Sequence, residues 1–133
     1  MSIEEVKNEF FRAKKSLESA KMLFDNKAYE DSISRSYYSV LHASKAALIL
    51  DGVVVTSHSA VRRLFGKHMV KTGKLDVRYA KILSAEQDMR FRADYDAMYI
   101  ADREDAKEFI DDAEDFLNAV GKYINAQGLD INI

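Results

Sequence analysis

Apolar residues recur at alternating spacings of three and four through the first two dozen positions: Ile3, Val6, Phe10, Ala13, Leu17, Ala20 and Phe24. That is one narrow stripe of a bundle helix. Ser2 with Glu5 forms a capping box, which predicts a start at Ile3. Asp25-Asn26-Lys27 interrupts the stripe as a tight turn, and a second helix is expected from about Ala28 to Leu50. Its far half, from Tyr37 on, is apolar or small on nearly every side, the pattern of a helix packed centrally or in an interface. Asp51-Gly52 supplies a left-handed C-terminal cap, and Val53 to Val55 read as an extended linker because no partner strand exists elsewhere.

Thr56 or Ser57 caps a third, shorter helix to about Lys71, with Ala60, Val61, Leu64, Phe65 and Met69 inward. Thr72-Gly73-Lys74 is a connector. Asp76 caps a fourth helix that places Ala80, Leu83, Gln87 and Phe91 on one face and frays between Arg92 and Asp96. Asp102 caps a fifth, with Ala106, Phe109, Ile110, Ala113, Phe116, Leu117, Val120 and Ile124 inward. The pattern predicts an all-α, antiparallel up-and-down bundle of four to five helices, in one domain over residues 1–133 whose tail, 126–133, is loose.

Composition narrows the functions. The 133 residues suffice for one hydrophobic core, and 47% hydrophobic with 32% charged residues is a soluble profile. Zero cysteines exclude disulfides, thiolate catalysis and cysteine-ligated metals. Zero prolines leave few helix breakers. No run is long enough to span a bilayer and the N-terminus does not resemble a signal peptide, so a cytoplasmic location and no membrane partner are expected. Phosphate-binding glycine loops, nucleophile elbows and zinc-type histidine pairs are absent. On one helix His58 and His68 would lie about 1000° apart, off any common face, so neither a metal nor another cofactor is implied.

The net charge of −2 hides a polarised distribution. Arg62 to Lys81 carries seven basic residues and one acid, whereas Asp102 to Asp115 carries eight acids and two bases. Either two solvated helix faces attract each other, or the basic run offers a surface to a polyanion.

Arg35-Ser-Tyr-Tyr-Ser-Val-Leu-His42 carries the most chemistry. Seven helical residues turn through about 700°, so Arg35 and His42 stand nearly in register, with Tyr38 between them. One stripe therefore holds a fixed charge, a phenol and a group titrating near neutrality. Such a stripe can hold a phosphate. In phosphodiester cleavage His42 could take a proton while Arg35 stabilises charge on phosphorus. Equally, it can be a structural network in which Arg35 pairs with a carboxylate on a neighbouring helix and His42 hydrogen-bonds a tyrosine or carbonyl. A second cluster, Arg90-Phe-Arg-Ala-Asp-Tyr95, adds Arg90, Arg92, Asp94 and Tyr95 as an organiser of a helix end or a fork for phosphate, with aromatics able to stack a base.

The ordered set Ser34-Arg-Ser-Tyr-Tyr-Ser-Val-Leu-His-Ala-Ser-Lys-Ala-Ala-Leu48, Ser57-His58 and Arg90-x-x-x-Asp94-Tyr95 resembles the HEPN (higher eukaryotes and prokaryotes nucleotide-binding) domain family, in its small stand-alone prokaryotic branch. The similarity runs from about Val6 to Tyr123. It implies a helical bundle, commonly a homodimer, in many members paired with a separate minimal nucleotidyltransferase as a toxin–antitoxin system. Active members are metal-independent endoribonucleases with an arginine and a histidine four to six residues apart at a dimer cleft. Arg35 and His42, with six residues between them, fit that spacing and would be the catalytic pair. In ribonuclease members the pair usually sits late in the bundle. Here it is on the second helix, and the late cluster has no histidine. The resemblance therefore implies a module that binds nucleotide or RNA, or partners a nucleotidyltransferase, through Arg35, Tyr38, His42, Arg90, Arg92, Asp94 and Tyr95. An endoribonuclease and a non-catalytic dimeric scaffold are the alternatives.

Overall fold

The structure, a computed structural model, describes residues 3–131. Five helices follow in order: α1 (Ile3–Asp25), α2 (Tyr29–Leu50), α3 (His58–Phe65), α4 (Val77–Tyr95) and α5 (Arg103–Ala126). Among the described residues there is no strand, and the all-α bundle expected from periodicity is the fold. No helix of the described residues is long and apolar enough to cross a membrane.

The punctuation follows the side chains that impose it. Lys27, at φ 63°, turns the chain between α1 and α2. Gly52, at φ 79°, closes α2, where the Val53 N–H donates to Leu48 O at 2.9 Å. Asp76 accepts from Arg78 N–H and Asp102 from Asp105 N–H, both at 2.8 Å, and Ser57 accepts from Ala60 N–H. The Ser2 half of the expected capping box lies outside the described residues.

Three departures are instructive. The third helix does not run evenly to Lys71: after Phe65 it widens into a π turn over Gly66–Val70, closed by Lys71 N–H to Gly66 O at 3.0 Å. Glycine is a weak helix former, and the wider turn keeps Met69 in the core. The fourth helix ends at Tyr95, within the expected stretch, but its buried face is Ile82, Leu83 and Glu86, and Phe91, expected inward, is 62% exposed. The segment after α5 is tied as far as Ile131, whose N–H donates to Asn125 Oδ1 at 3.1 Å, while Leu129 and Ile131 pack on the core.

Helix α2 is the axis of the bundle, packing on α1, α5, α4 and α3. Twelve of its 22 residues are buried, most of them alanine, serine or β-branched. Small side chains let neighbouring backbones approach, and each buried hydroxyl is used. Ser32 donates to Ala20 O on α1 at 2.8 Å, and Ser44 to Val40 O at 2.8 Å. Ala43, on this central helix, is at 0% exposure. Ala43→Leu is expected to destabilise by about 1–3 kcal/mol through overpacking, read as a lower urea midpoint, whereas Met22→Leu on the exposed side of α1 should leave the midpoint unchanged.

Candidate functional site

With so much of α2 buried, the residues it leaves accessible in its central turns form a single line: Arg35, Tyr38, His42 and Lys45, spaced three, four and three apart. Arg35 is exposed and the other three are half-buried. The helical register inferred from sequence is therefore realised, and the four side chains meet different neighbours on either flank.

On the α1 side, His42 Nδ1 lies 2.7 Å from Glu9 Oε2, and Lys45 Nζ 3.3 Å from Glu9 Oε1. Burial alone would raise the Glu9 carboxyl, but the His42 hydrogen bond and the Lys45 and His42 charges outweigh it and hold Glu9 below the usual carboxylate range. His42 is thus bound to a carboxylate, neither to a tyrosine nor to a carbonyl. Its Nδ1 is engaged with Glu9, and His42 also helps to line a groove. Arg35 pairs with no carboxylate among the described residues; its guanidinium lies 5.4 Å from the Tyr38 ring centre. An open groove of about 690 Å³ between α1 and α2 is lined by Arg35, Tyr38 and His42 together with α1 side chains.

On the α4 side, Arg90 is caged. Its guanidinium lies 5.4–5.8 Å from the ring centres of Tyr37, Tyr38 and Tyr95. It donates to the Tyr38 hydroxyl at 2.9 Å, and its Nε sits 2.9 Å from Asp94 Oδ2 as an ion pair without an aligned hydrogen bond. Arg90, Asp94, Tyr95 and Tyr38 are thereby brought together. Arg92 is not: it points away, 4.7 Å over the Tyr99 ring in the loop after α4. Arg90 is a brace for Tyr38 more than a free cation, because its charge is already faced by aromatic rings and a carboxylate.

Two further groups escaped the sequence reading. His58, the first residue of α3, comes within electrostatic range of the same cluster; partial burial and the charges of Lys45, His42 and Arg90 pull its imidazole below the ordinary value. The charged groups that lower it come from the α2 stripe and α4, with Lys45 foremost, and not from His68. Glu86 on α4 is completely buried behind the stripe. Ser36 Oγ lies 2.9 Å from Glu86 Oε1 and 2.9 Å from Phe109 O. A hydroxyl has one proton, so a protonated Glu86 donating to Ser36, which donates to Phe109, satisfies both contacts at once. Burial pushes the Glu86 carboxyl well above the usual range, against the Ser36 hydrogen bond and with the help of Asp112. The strut links α4, α2 and α5 through the residue next to Arg35. A repeated spacing of four from Ile82 to Glu86 to Arg90 was the available signal, obscured by Gln87 and Phe91 suggesting a face one residue over.

The two charge runs touch at one ion pair between α4 and α5, Arg78 to Asp115 at 2.8 Å. Elsewhere the acids of α5 repel one another: burial and the charges of Glu108, Asp115 and Asp111 raise Asp112.

Comparison with known proteins agrees with this architecture. The HEPN domain family model matches residues 6–123, and the chain belongs to that family. A Methanocaldococcus jannaschii protein named as a toxin candidate is 35% identical over 83 residues, 62% of either chain. A UPF0332 protein of Pyrococcus horikoshii is 44% identical over 81 residues, covering 61% of this chain and 57% of that one. The matches thus span less than two thirds of the length of these relatives. The crystal structure of an archaeal HEPN homologue superposes with a TM-score of 0.64 at 21% identity, over 89% of this chain and 97% of that one, and shares its fold.

The strut has a measurable pH signature. Below the pKa of an unfolded glutamate, about 4.3, both states carry the proton and its full stabilisation is present. As pH rises the unfolded chain loses the proton first, so stability falls until pH passes the raised folded value. Glu86→Gln, which keeps shape and hydrogen bonding, should flatten that fall, so its melting temperature gains on the wild type as pH rises. Ser36→Ala strands the carboxyl and is expected to cost about 1–3 kcal/mol in urea unfolding. A wild type and Glu86→Gln with parallel pH–stability curves would contradict a buried neutral Glu86.

Proposed function

We propose that this chain is a HEPN module that binds nucleotide or RNA along the Arg35 stripe and acts as the toxin-like member of a pair with a separate minimal nucleotidyltransferase. The observation that carries the reading is Arg35: an exposed guanidinium on the rim of a groove, stacked near a tyrosine and with no carboxylate partner among the described residues. A structural brace would have neutralised it, as Asp94 and the tyrosines do for Arg90. The toxin-like role is supported by the toxin-candidate names of two Methanocaldococcus jannaschii relatives, 35% and 34% identical. Homodimerisation is supported by the exposed Phe91, Tyr95, Met98 and Ile100 beside the Arg90 cage, an apolar surface that a second copy could cover.

A second reading, metal-independent endoribonuclease, has one observation in its favour. The Glu9 carboxylate on His42 Nδ1 is the arrangement that fixes an imidazole tautomer and frees the other nitrogen as a general base. Arg35 would then stabilise charge on phosphorus.

Both readings are tested by titrating labelled RNA and labelled ATP with purified protein at two salt concentrations, in chelator. Binding that weakens with salt and falls about tenfold or more in Arg35→Gln is expected from loss of a charge-assisted contact. No binding at low salt contradicts the proposal. Cleavage that survives chelator and vanishes in His42→Ala selects the ribonuclease; RNA left intact at high protein concentration selects the binder.

A further inference from the structure

The groove has a second wall that the stripe on α2 does not supply. Phe11, Arg12 and Lys15 stand on the α1 side, with Asn8, Ser16 and Ser19 filling the line between them. None of the nine lining residues is a carboxylate, in a chain that carries 22 acids. The nearest acid on α1, Glu9, is turned to His42 and Lys45, and Glu18 lies in a different groove, against α5. Arg12, Lys15 and Arg35 make no ion pair among the described residues. Three cations without an ion pair among the described residues thus converge on one groove whose lining holds no acid.

Phe11 is 60% exposed, an aromatic ring left in water between these cations, with the Lys15 ammonium 5.7 Å from its centre. It adds little to the core, and Tyr38 presents a second ring across the groove. From Asn8 to Ser19 the α1 wall rises about 16 Å, longer than a single phosphate needs. Cations spaced along a track with aromatic platforms between them are the chemistry of single-stranded nucleic acid binding.

We infer that the α1–α2 groove takes a single-stranded phosphodiester chain, with Arg12, Lys15 and Arg35 on successive phosphates and Phe11 stacking an unpaired base. This rests on the anion-binding reading of Arg35 and deepens it, adding the α1 residues and specifying a chain in place of a lone mononucleotide.

The test is fluorescence anisotropy with a labelled unstructured single-stranded RNA, with ATP and inorganic phosphate as competitors. Each single-strand phosphate contact contributes about −0.7 to the slope of log affinity against log salt. The double variant Arg12→Gln/Lys15→Gln should therefore lose affinity and reduce the slope by about 1.4. Phe11→Ser should lose roughly tenfold with the slope unchanged. ATP and phosphate should compete far more weakly than unlabelled RNA. Lys67→Gln/Lys71→Gln, in the basic run outside the groove lining, should change little. Circular dichroism verifies that the variants are folded. If Arg35→Gln weakens binding while the α1 variants do not, the inference falls and the reading of Arg35 stands. If the Lys67/Lys71 pair accounts for binding and Arg35→Gln is silent, both fall. ATP competing as strongly as the oligonucleotide overturns the claim of a chain.

Discussion

The burial of α2 is the constraint from which the rest follows. A helix packed on four neighbours must be small and apolar on most of its surface, and twelve of its 22 residues are buried. What remains through its middle is one strip, and Arg35, Tyr38, His42 and Lys45 occupy it. The polar stripe is therefore not scattered surface charge. It is held rigidly by the central helix, between α1 on one flank and α4 on the other, as sites on packed elements are held more tightly than sites on loops.

Each flank uses the strip differently. Glu9 ties down His42 and Lys45 from α1, and the Arg90 cage holds Tyr38 from α4. Behind them Ser36 joins Glu86 to Phe109 through the core, setting the rotation of α2 where Arg35 emerges. Buried polar networks of this kind favour one arrangement because any shift leaves a group unsatisfied. Arg35 alone is left without a carboxylate, on the side where α1 contributes Arg12 and Lys15. The geometry separates paired from unpaired charge within a single cluster of residues.

The helices, most caps and the register of the Arg35 stripe were legible in sequence because they depend on local spacing: a heptad places Arg35 over His42 whatever surrounds them. The partners were not legible, because they come from distant turns. Glu9 lies 33 positions from His42, and Glu86 lies 50 from Ser36. Arg90 and Arg92 look equivalent in the sequence, yet two helical residues turn through about 200°, so one meets Tyr38 and the other Tyr99. The α1 side chains of the groove carried no motif; their meaning depends on which face α1 turns to α2. Nor could the basic run of 62–81 be ranked against the groove by counting charges, since Arg62 and Arg78 are neutralised by Asp88 and Asp115 only in the folded chain.

The central claim is that the functional surface of this HEPN module is the α1–α2 face and not the basic run. Backbone amide chemical-shift mapping during titration with single-stranded RNA tests it most directly. The largest shifts are predicted in residues 8–19 and 35–42, with smaller ones carried to Tyr38's brace at Arg90. Shifts confined to residues 62–81, with the α1–α2 face silent, would contradict the account.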